Sequence, residues 1–201
     1  MSQILIASNN QGKFDEIQAL LLGLKVELLT PRMLDLEISV EESGQTYEEN
    51  AELKGKAYAQ ATGLMTLADD SGLEVDALNG LPGLRSARFA PMPGASDADR
   101  RAYLLQQLKD HPHPWLARFR CVLAMVRAEE FVRFVEGICP GEVISDERGQ
   151  NGFGYDPIFL IPELGRTMAE LSMEEKNRLS HRGRAIQTAI PILVEFLKIV
   201  P

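Results

Sequence analysis

Strand-forming runs and helical patterns take turns along this chain, and that alternation admits few architectures. Gln3–Ser8 is a short β-rich run; Asn9–Gly23 follows with Phe14, Ile17, Leu20 and Leu21 at helical spacing, and Lys25–Leu29 is extended again. Thr46–Gly63 is the best-marked helix, with Thr46 and Glu49 placed for a capping box and Gly63 where a C-terminal stop belongs. Met65–Ala68 reads as a strand ending at Asp69-Asp70-Ser71-Gly72, and Leu73–Leu78 resumes extended structure. Residues 79–97 are rich in Gly and Pro and form a long ordered loop, followed by a helix over Ala98–Leu108. Ala117–Ala128 and Phe131–Cys139 pair as a hairpin turning at Glu129-Glu130, and Gly149–Pro157 is a glycine-rich loop. Ser180 caps a last helix reaching about Ile199, kinked at Pro191. Alternating strands and helices plus one long hairpin predict an α/β fold: a central mixed twisted sheet with flanking helices, in a single domain over residues 1–201.

The charge balance narrows the ligands. Twenty-one basic against 29 acidic residues give −8, which disfavours wrapping duplex nucleic acid. An anionic ligand would need locally concentrated positive charge, or a metal. Apolar stretches such as Val122–Val126 are far too short for a membrane helix, and MSQILIASNNQGK lacks the pattern of a signal peptide. These features predict a cytoplasmic protein with no membrane partner. Cys121 and Cys139 have no metal-ligand spacing and read as free buried thiols.

Function is sought where polarity contradicts local structure. Ser8-Asn9-Asn10-Gln11-Gly12-Lys13 leads a strand into a helix and offers free backbone N–H groups to an anion. Lys13 opposes the helix dipole there; the bland reading is a solvated lysine. Ser180-His181-Arg182-Gly183-Arg184 is likewise basic at a helix start, with Lys176 and Arg178 just before it. A phosphate group would satisfy both starts; a solvated basic face is the alternative. On the Thr46 helix, Lys54 lies on a stripe with Tyr47, Ala51, Tyr58 and Ala61, with Asn50 beside it. Both polar side chains should then point inward and need partners, unless the Lys54 head escapes to water. Asp69-Asp70-Ser71 and Glu41-Glu42 are acidic sets whose oxygen ligands suit Mg²⁺. Asp69 could instead be a turn or capping residue, which leaves Asp70 to the site. Gly152-Phe153-Gly154-Tyr155-Asp156-Pro157 could offer a ring to a flat ligand, or simply be a tight turn. Cys121–Arg127 matches the spacing of a phosphatase loop, but its intervening residues form an apolar strand without glycine.

Taken in order, SNNQGK, EESGQTYEENAELKGKA, LADDSGL, LPGLRSARFA, GFGYDP and EEKNRLSHRGRA resemble the inosine/xanthosine triphosphate pyrophosphatase family over nearly the whole chain. The resemblance implies an elongated two-lobed α/β domain with its active site in the cleft between lobes, a homodimer and Mg²⁺ dependence. It also implies hydrolysis of non-standard purine nucleoside triphosphates (ITP, dITP, XTP) to monophosphate and pyrophosphate. Carried over residue by residue, Ser8, Asn9, Asn10, Lys13 and Lys54 would bind the triphosphate. Asp70 would be the catalytic, metal-linked acid, Ser71 its substrate-contacting neighbour, and Glu41 or Glu42 a further metal ligand. Phe153, Gly154, Tyr155 and Asp156 would bind the nucleoside, and Lys176, His181 and Arg182 would surround the base. Pro91–Asp97 departs from the family pattern. A Maf-like nucleotide pyrophosphatase and a non-catalytic nucleotide-binding regulator are the competing readings; GFGYDP and SHRG oppose the first, the intact acids and Lys13 the second.

Overall fold

A computed structural model describes residues 2–127 and 131–197. In hydrogen-bonded order the strands run β2 (Val26–Leu29), β1 (Ser2–Ile6), β3 (Met65–Val75), β4 (Trp115–Arg127), β5 (Phe131–Val143), β6 (Phe159–Ile161) and β7 (Arg166–Thr167), and contacts divide the chain into two compact units.

Unit 1 comprises residues 1–70, 121–137 and 181–201. Its first strand, β1 (Ser2–Ile6), is parallel to both neighbours, β2 (Val26–Leu29) and the first half of β3 (Met65–Val75), with Ile4 opposite Leu28 and Met65. Parallel neighbours require crossovers, which α1 (Gln11–Leu21) and α2 (Tyr47–Thr62) supply. The α1 helix starts two residues later than the apolar spacing suggests, because the Asn10 side chain caps it, accepting from Lys13 N–H at 3.1 Å. Thr46 caps α2 by accepting from Glu49 N–H, but the Glu49 carboxylate turns back to Gln45 N–H instead of Thr46, so the expected capping box is only half formed. Gly63 ends α2 at φ 69°, its N–H donating to Ala59 C=O. Ile4, Ile6, Phe14, Ile17, Leu67, Leu123, Met125, Ile186 and Leu193 form the core, with α5 (His181–Leu197) packed on α1. That last helix continues through Pro191, and its expected end near Ile199 lies outside the described residues.

Unit 2 comprises residues 71–120 and 138–180. It holds the second half of β3, α3 (Asp97–Leu108), the first residues of β4 (Trp115–Arg127), the end of β5 (Phe131–Val143), β6 (Phe159–Ile161), β7 (Arg166–Thr167) and α4 (Met173–Leu179). The β5–β6 and β6–β7 pairs are antiparallel, so the sheet is mixed as predicted. Leu73, Leu104, Leu108, Trp115, Phe119, Tyr155 and Phe159 centre its core. One element extends further than its sequence signals. Asp69-Asp70-Ser71-Gly72 does not end a strand: β3 runs through it without a break. Glu41-Glu42 lies in irregular backbone before α2. The expected hairpin turn at Glu129-Glu130 lies outside the described residues. No described helix is long and apolar enough to cross a membrane.

Candidate active site

In unit 1, β3 delivers Asp69 and Asp70 side by side, and adjacent strand residues point to opposite faces. Asp69 turns inward and is almost inaccessible. Its Oδ1 pairs with the Lys13 ammonium; its Oδ2 accepts from Arg182 Nε at 2.8 Å and from the Cys121 thiol at 3.1 Å. The same Arg182 donates through Nη1 to Glu16 Oε2 at 2.5 Å, with both side chains buried. Asp69 is therefore neither a turn residue nor a backbone cap. It is the anion that satisfies both cationic helix starts, a part that the sequence assigns to a phosphate. Glu16, which drew no attention in the sequence, completes the chain; its burial shows only in the structure.

Burial works to raise the Asp69 carboxyl, but Arg182 and Lys13 outweigh it and hold the group well below the usual carboxylate range. The Arg182 guanidinium is driven upward for the mirror-image reason: its two carboxylates more than offset its burial. The Cys121 thiol is pushed well up, first by burial and then by the Asp69 charge, so it is not a nucleophile.

Asp70 behaves oppositely. Burial raises its carboxyl to about 6, Glu42 and Asp69 add to the rise, and Lys54 and Lys13 only partly oppose it. Its Oδ2 is buried and accepts no hydrogen bond. Lys54 does point inward from α2, as its place on the stripe predicts. Its ammonium meets Glu42 Oε1 at 2.7 Å and the Asp69 carbonyl at 3.1 Å. Burial disfavours that charge, yet Glu42 and the two aspartates raise its pKa overall. Asn50 is buried too, and its Oδ1 accepts from Gly44 N–H at 2.8 Å, which ties the Glu41–Gly44 segment to α2. Of the remaining stripe, Ala61 is exposed, not buried. Glu41 is also exposed. Ser8, Asn9 and Asn10 line a cavity of about 940 Å³ in this unit, together with Arg32 and residues 36–39.

Unit 2 holds the glycine-rich loop. Gly152 sits at φ 76°, and a Cβ there would lie 2.0 Å from Asp156 Oδ2, so only glycine fits. That oxygen accepts from Phe153 N–H at 2.9 Å and from the buried Lys176 ammonium at 2.5 Å. The ammonium also lies 4.9 Å from the centre of the Phe153 ring. Tyr155 is buried, and its hydroxyl donates to Ser86 C=O at 2.9 Å. Both charges expected around a base are thus engaged within the protein: Lys176 with Asp156 in unit 2, Arg182 with Asp69 and Glu16 in unit 1. His181 is buried at the start of α5 in unit 1, whereas Ser71 is the first residue of unit 2.

Mg²⁺ usually takes one or two protein carboxylates plus phosphates and water. Among the described residues no three His, Cys, Asp or Glu side chains converge on a metal position. The open Asp70 Oδ2, close enough to Glu42 to feel its charge, fits that modest requirement. Around these groups, Lys13, Lys54 and Arg182 face four carboxylates (Glu16, Glu42, Asp69 and Asp70), so a polyphosphate would meet a net negative surround unless a divalent cation accompanied it.

Comparisons with known proteins place the chain in a family. The dITP/XTP pyrophosphatase of Exiguobacterium sibiricum is 46% identical over 198 residues, covering 97% of this chain and 98% of the relative. That of Desulforamulus reducens is 44% identical over 192 residues, 95% of each chain. Among solved structures, a HAM1 protein from Coxiella burnetii superposes with a TM-score of 0.87 at 40% identity, covering 97% of this chain and all of that one. The Staphylococcus aureus Ham1 protein gives 0.81 at 40% identity, with 98% of each covered. The sequence model of the Ham1 family matches residues 4–192, and the chain belongs to that family.

Proposed function

We infer that this protein hydrolyses non-standard purine nucleoside triphosphates, ITP, dITP and XTP, to the monophosphate and pyrophosphate, and so removes them from the nucleotide pool. The reading includes residues 1–201 acting as one catalytic domain, a cytoplasmic location, and a homodimer with a small-molecule substrate and no nucleic-acid partner.

The observation that carries the reading is the contrast between Asp69 and Asp70. One carboxylate is consumed by protein cations; its neighbour keeps a buried, unpartnered oxygen. An idle buried carboxylate costs stability, and its retention points to a task. Asp70 would take the proton of the attacking water while Glu42, with Glu41 next to it, helps hold a cation. Mg²⁺ bound by these carboxylates would supply charge neutralisation of the phosphates and would lower the Asp70 pKa so that it stays ionised. Lys54 and Lys13 would orient the polyphosphate, the backbone N–H groups after Ser8 receiving its oxygens. The water attacks phosphorus at the α position, the α–β bridging P–O bond breaks, and pyrophosphate leaves with that oxygen.

In unit 2, the Phe153–Asp156 loop supplies the nucleoside contacts, with Phe153 as the ring against the base. Hypoxanthine and xanthine present an O6 acceptor where adenine presents an amino donor, so a site that donates to O6 rejects ATP by leaving a buried donor unpaired. Lys176 and His181 are the donors assigned to that side; Arg182 would have to release a carboxylate to join them.

The test is a product assay with ITP, XTP, GTP, ATP and dTTP, with and without Mg²⁺, separating pyrophosphate from orthophosphate. Mg²⁺-dependent pyrophosphate from ITP and XTP, at kcat/KM above that for GTP, is the expected result. Orthophosphate would place the attack at the γ phosphate, and activity confined to dTTP would favour a Maf-like enzyme; either refutes the reading.

A further inference from the structure

Gly154, at the centre of the glycine-rich loop, has both halves of its peptide environment held by one helix. Its N–H donates to Asp97 Oδ2 at 2.8 Å, and its C=O accepts from Arg101 Nη1 at 2.9 Å. Asp97 and Arg101 are four residues apart, on neighbouring turns of α3. Neither is loose. The other Asp97 oxygen pairs with Arg100, whose Nη1 in turn donates to Ala95 C=O at 2.6 Å. Arg101 is locked by a two-point fork on Glu147, Nε to Oε1 and Nη2 to Oε2, both at 2.8 Å. The Arg101 side chain is 12% exposed although its Glu147 partner is 45% exposed, so the guanidinium is tucked under the loop and not spread on the surface.

Gly154 itself stands at φ 62° with no atom within 4 Å of where a Cβ would be. Packing therefore does not fix this residue; two charge-assisted hydrogen bonds do. Elsewhere the loop is tied by Asp156 to Phe153 N–H, by Tyr155 to Ser86, by Asn151 to Ala169 C=O and Leu171 C=O, and by Lys176 to Asp156; none of these bonds reaches the Gly154 N–H or C=O. Without those two bonds, a Gly154 peptide in the left-handed region with no side chain to wedge it would be freer to shift, and the adjoining Phe153 with it.

We propose that Asp97 and Arg101 are positioning residues for the nucleobase: they clamp the Gly154 peptide and thereby set the Phe153 ring and the backbone groups that meet the base. The proposal rests on the nucleoside-loop reading given above. It also gives a role to the end of the Pro91–Asp97 stretch, which departs from the family pattern: it starts α3 at the register that brings Asp97 to Gly154.

The clamp is tested with Arg101→Met and Asp97→Ala, with Asp97→Asn as the conservative variant, since an amide oxygen can still accept from Gly154 N–H. Deuterium uptake by a peptide spanning 149–157 should speed up in the first two and stay near the unmodified rate in the third. KM for ITP should rise about ten-fold with kcat held within about two-fold, and the inhibition constant for pyrophosphate, which lacks a base, should not move. Arg101→Lys, which keeps the charge but loses the fork, should fall between and serves if the harsher variants fail to fold. Unchanged KM, an equal loss in kcat, or an Asn variant as impaired as the Ala variant overturns the clamp. If the unmodified protein turns over none of the triphosphates, the proposed function fails; if it does and the variants match it, only the clamp fails.

Discussion

Arg182 bridges two buried acids in unit 1, and removing it should reverse the sign of a second mutation. It is 1% exposed and lies between two buried carboxylates, 2.8 Å from Asp69 and 2.5 Å from Glu16. Arg182→Met keeps most of the volume and takes the guanidinium from both acids, leaving Asp69 with Lys13 and Cys121. Breaking a buried pair from one side costs about 3–5 kcal/mol, because an uncompensated charge stays behind. For a chain of this length each kcal/mol moves Tm by about 2–4 °C, so the loss should be about 6–20 °C. Glu16→Gln in the unmodified protein should cost less, about 1–3 kcal/mol, since the amide oxygen still accepts from Arg182 but without charge. In the Arg182→Met background, however, Glu16 is a buried carboxylate that has lost the Arg182 charge, and Glu16→Gln should raise Tm. Thermal and urea unfolding of the four proteins at pH 7, followed by circular dichroism, measures the coupling directly. A Tm change below about 2 °C for Arg182→Met, or additive effects of the two substitutions, would refute the account of Asp69, Arg182 and Glu16 as one charge-balanced unit.

Three other outcomes follow from the geometry. Asp70→Asn should lower kcat on ITP by about 10²–10⁴-fold with the circular dichroism spectrum unchanged, whereas near-normal kcat would remove Asp70 from the chemistry. Gly137→Ala should destabilise the protein by about 1–3 kcal/mol, because its Cβ would fall 2.0 Å from the His181 carbonyl and 2.6 Å from Ala185 N. A crystal structure of that variant should show the start of α5 displaced, and an unmoved helix would contradict the prediction. Glu175 is held down at about 2, first by its hydrogen bonds from Arg166 and then by Ser172 N–H. Its folded pKa lies below the unfolded value, so its contribution is present above about pH 4.5 and is lost as pH falls towards 2. Glu175→Gln should flatten stability against pH in that window and nowhere else, as read by urea unfolding between pH 2 and 7.

Much of this was legible in the residues because it depends on local rules. Apolar spacing, the Thr46 cap and Gly63 mark α2, and its stripe correctly turns Lys54 and Asn50 inward. The break at Asp69–Gly72 was misplaced because four polar or small residues resemble a turn. In the structure, long-range ion pairs to Lys13 and Arg182 neutralise Asp69 inside a continuous strand. Sequence separation explains that failure: Asp69 and Arg182 are 113 residues apart, Glu16 and Arg182 166 apart, and no local pattern encodes such partners. The same holds for Arg101, which in a charged helix looks like ordinary surface until Gly154 C=O is found beneath it. Asp70 could be picked out as the site acid, but its open oxygen is visible only once every neighbouring donor is accounted for.

The two cysteines carry a practical consequence. Cys121 is buried in unit 1 and Cys139 in unit 2, neither in a disulfide. A thiol reagent can reach either only when the surrounding structure opens, so the protein contains one chemical clock for each unit. Slow labelling in native buffer, with the modified residue identified by mass spectrometry, would time the opening of each unit separately and without adding a probe. Substrate or Mg²⁺ that slows one clock and not the other would reveal which half of the chain it steadies.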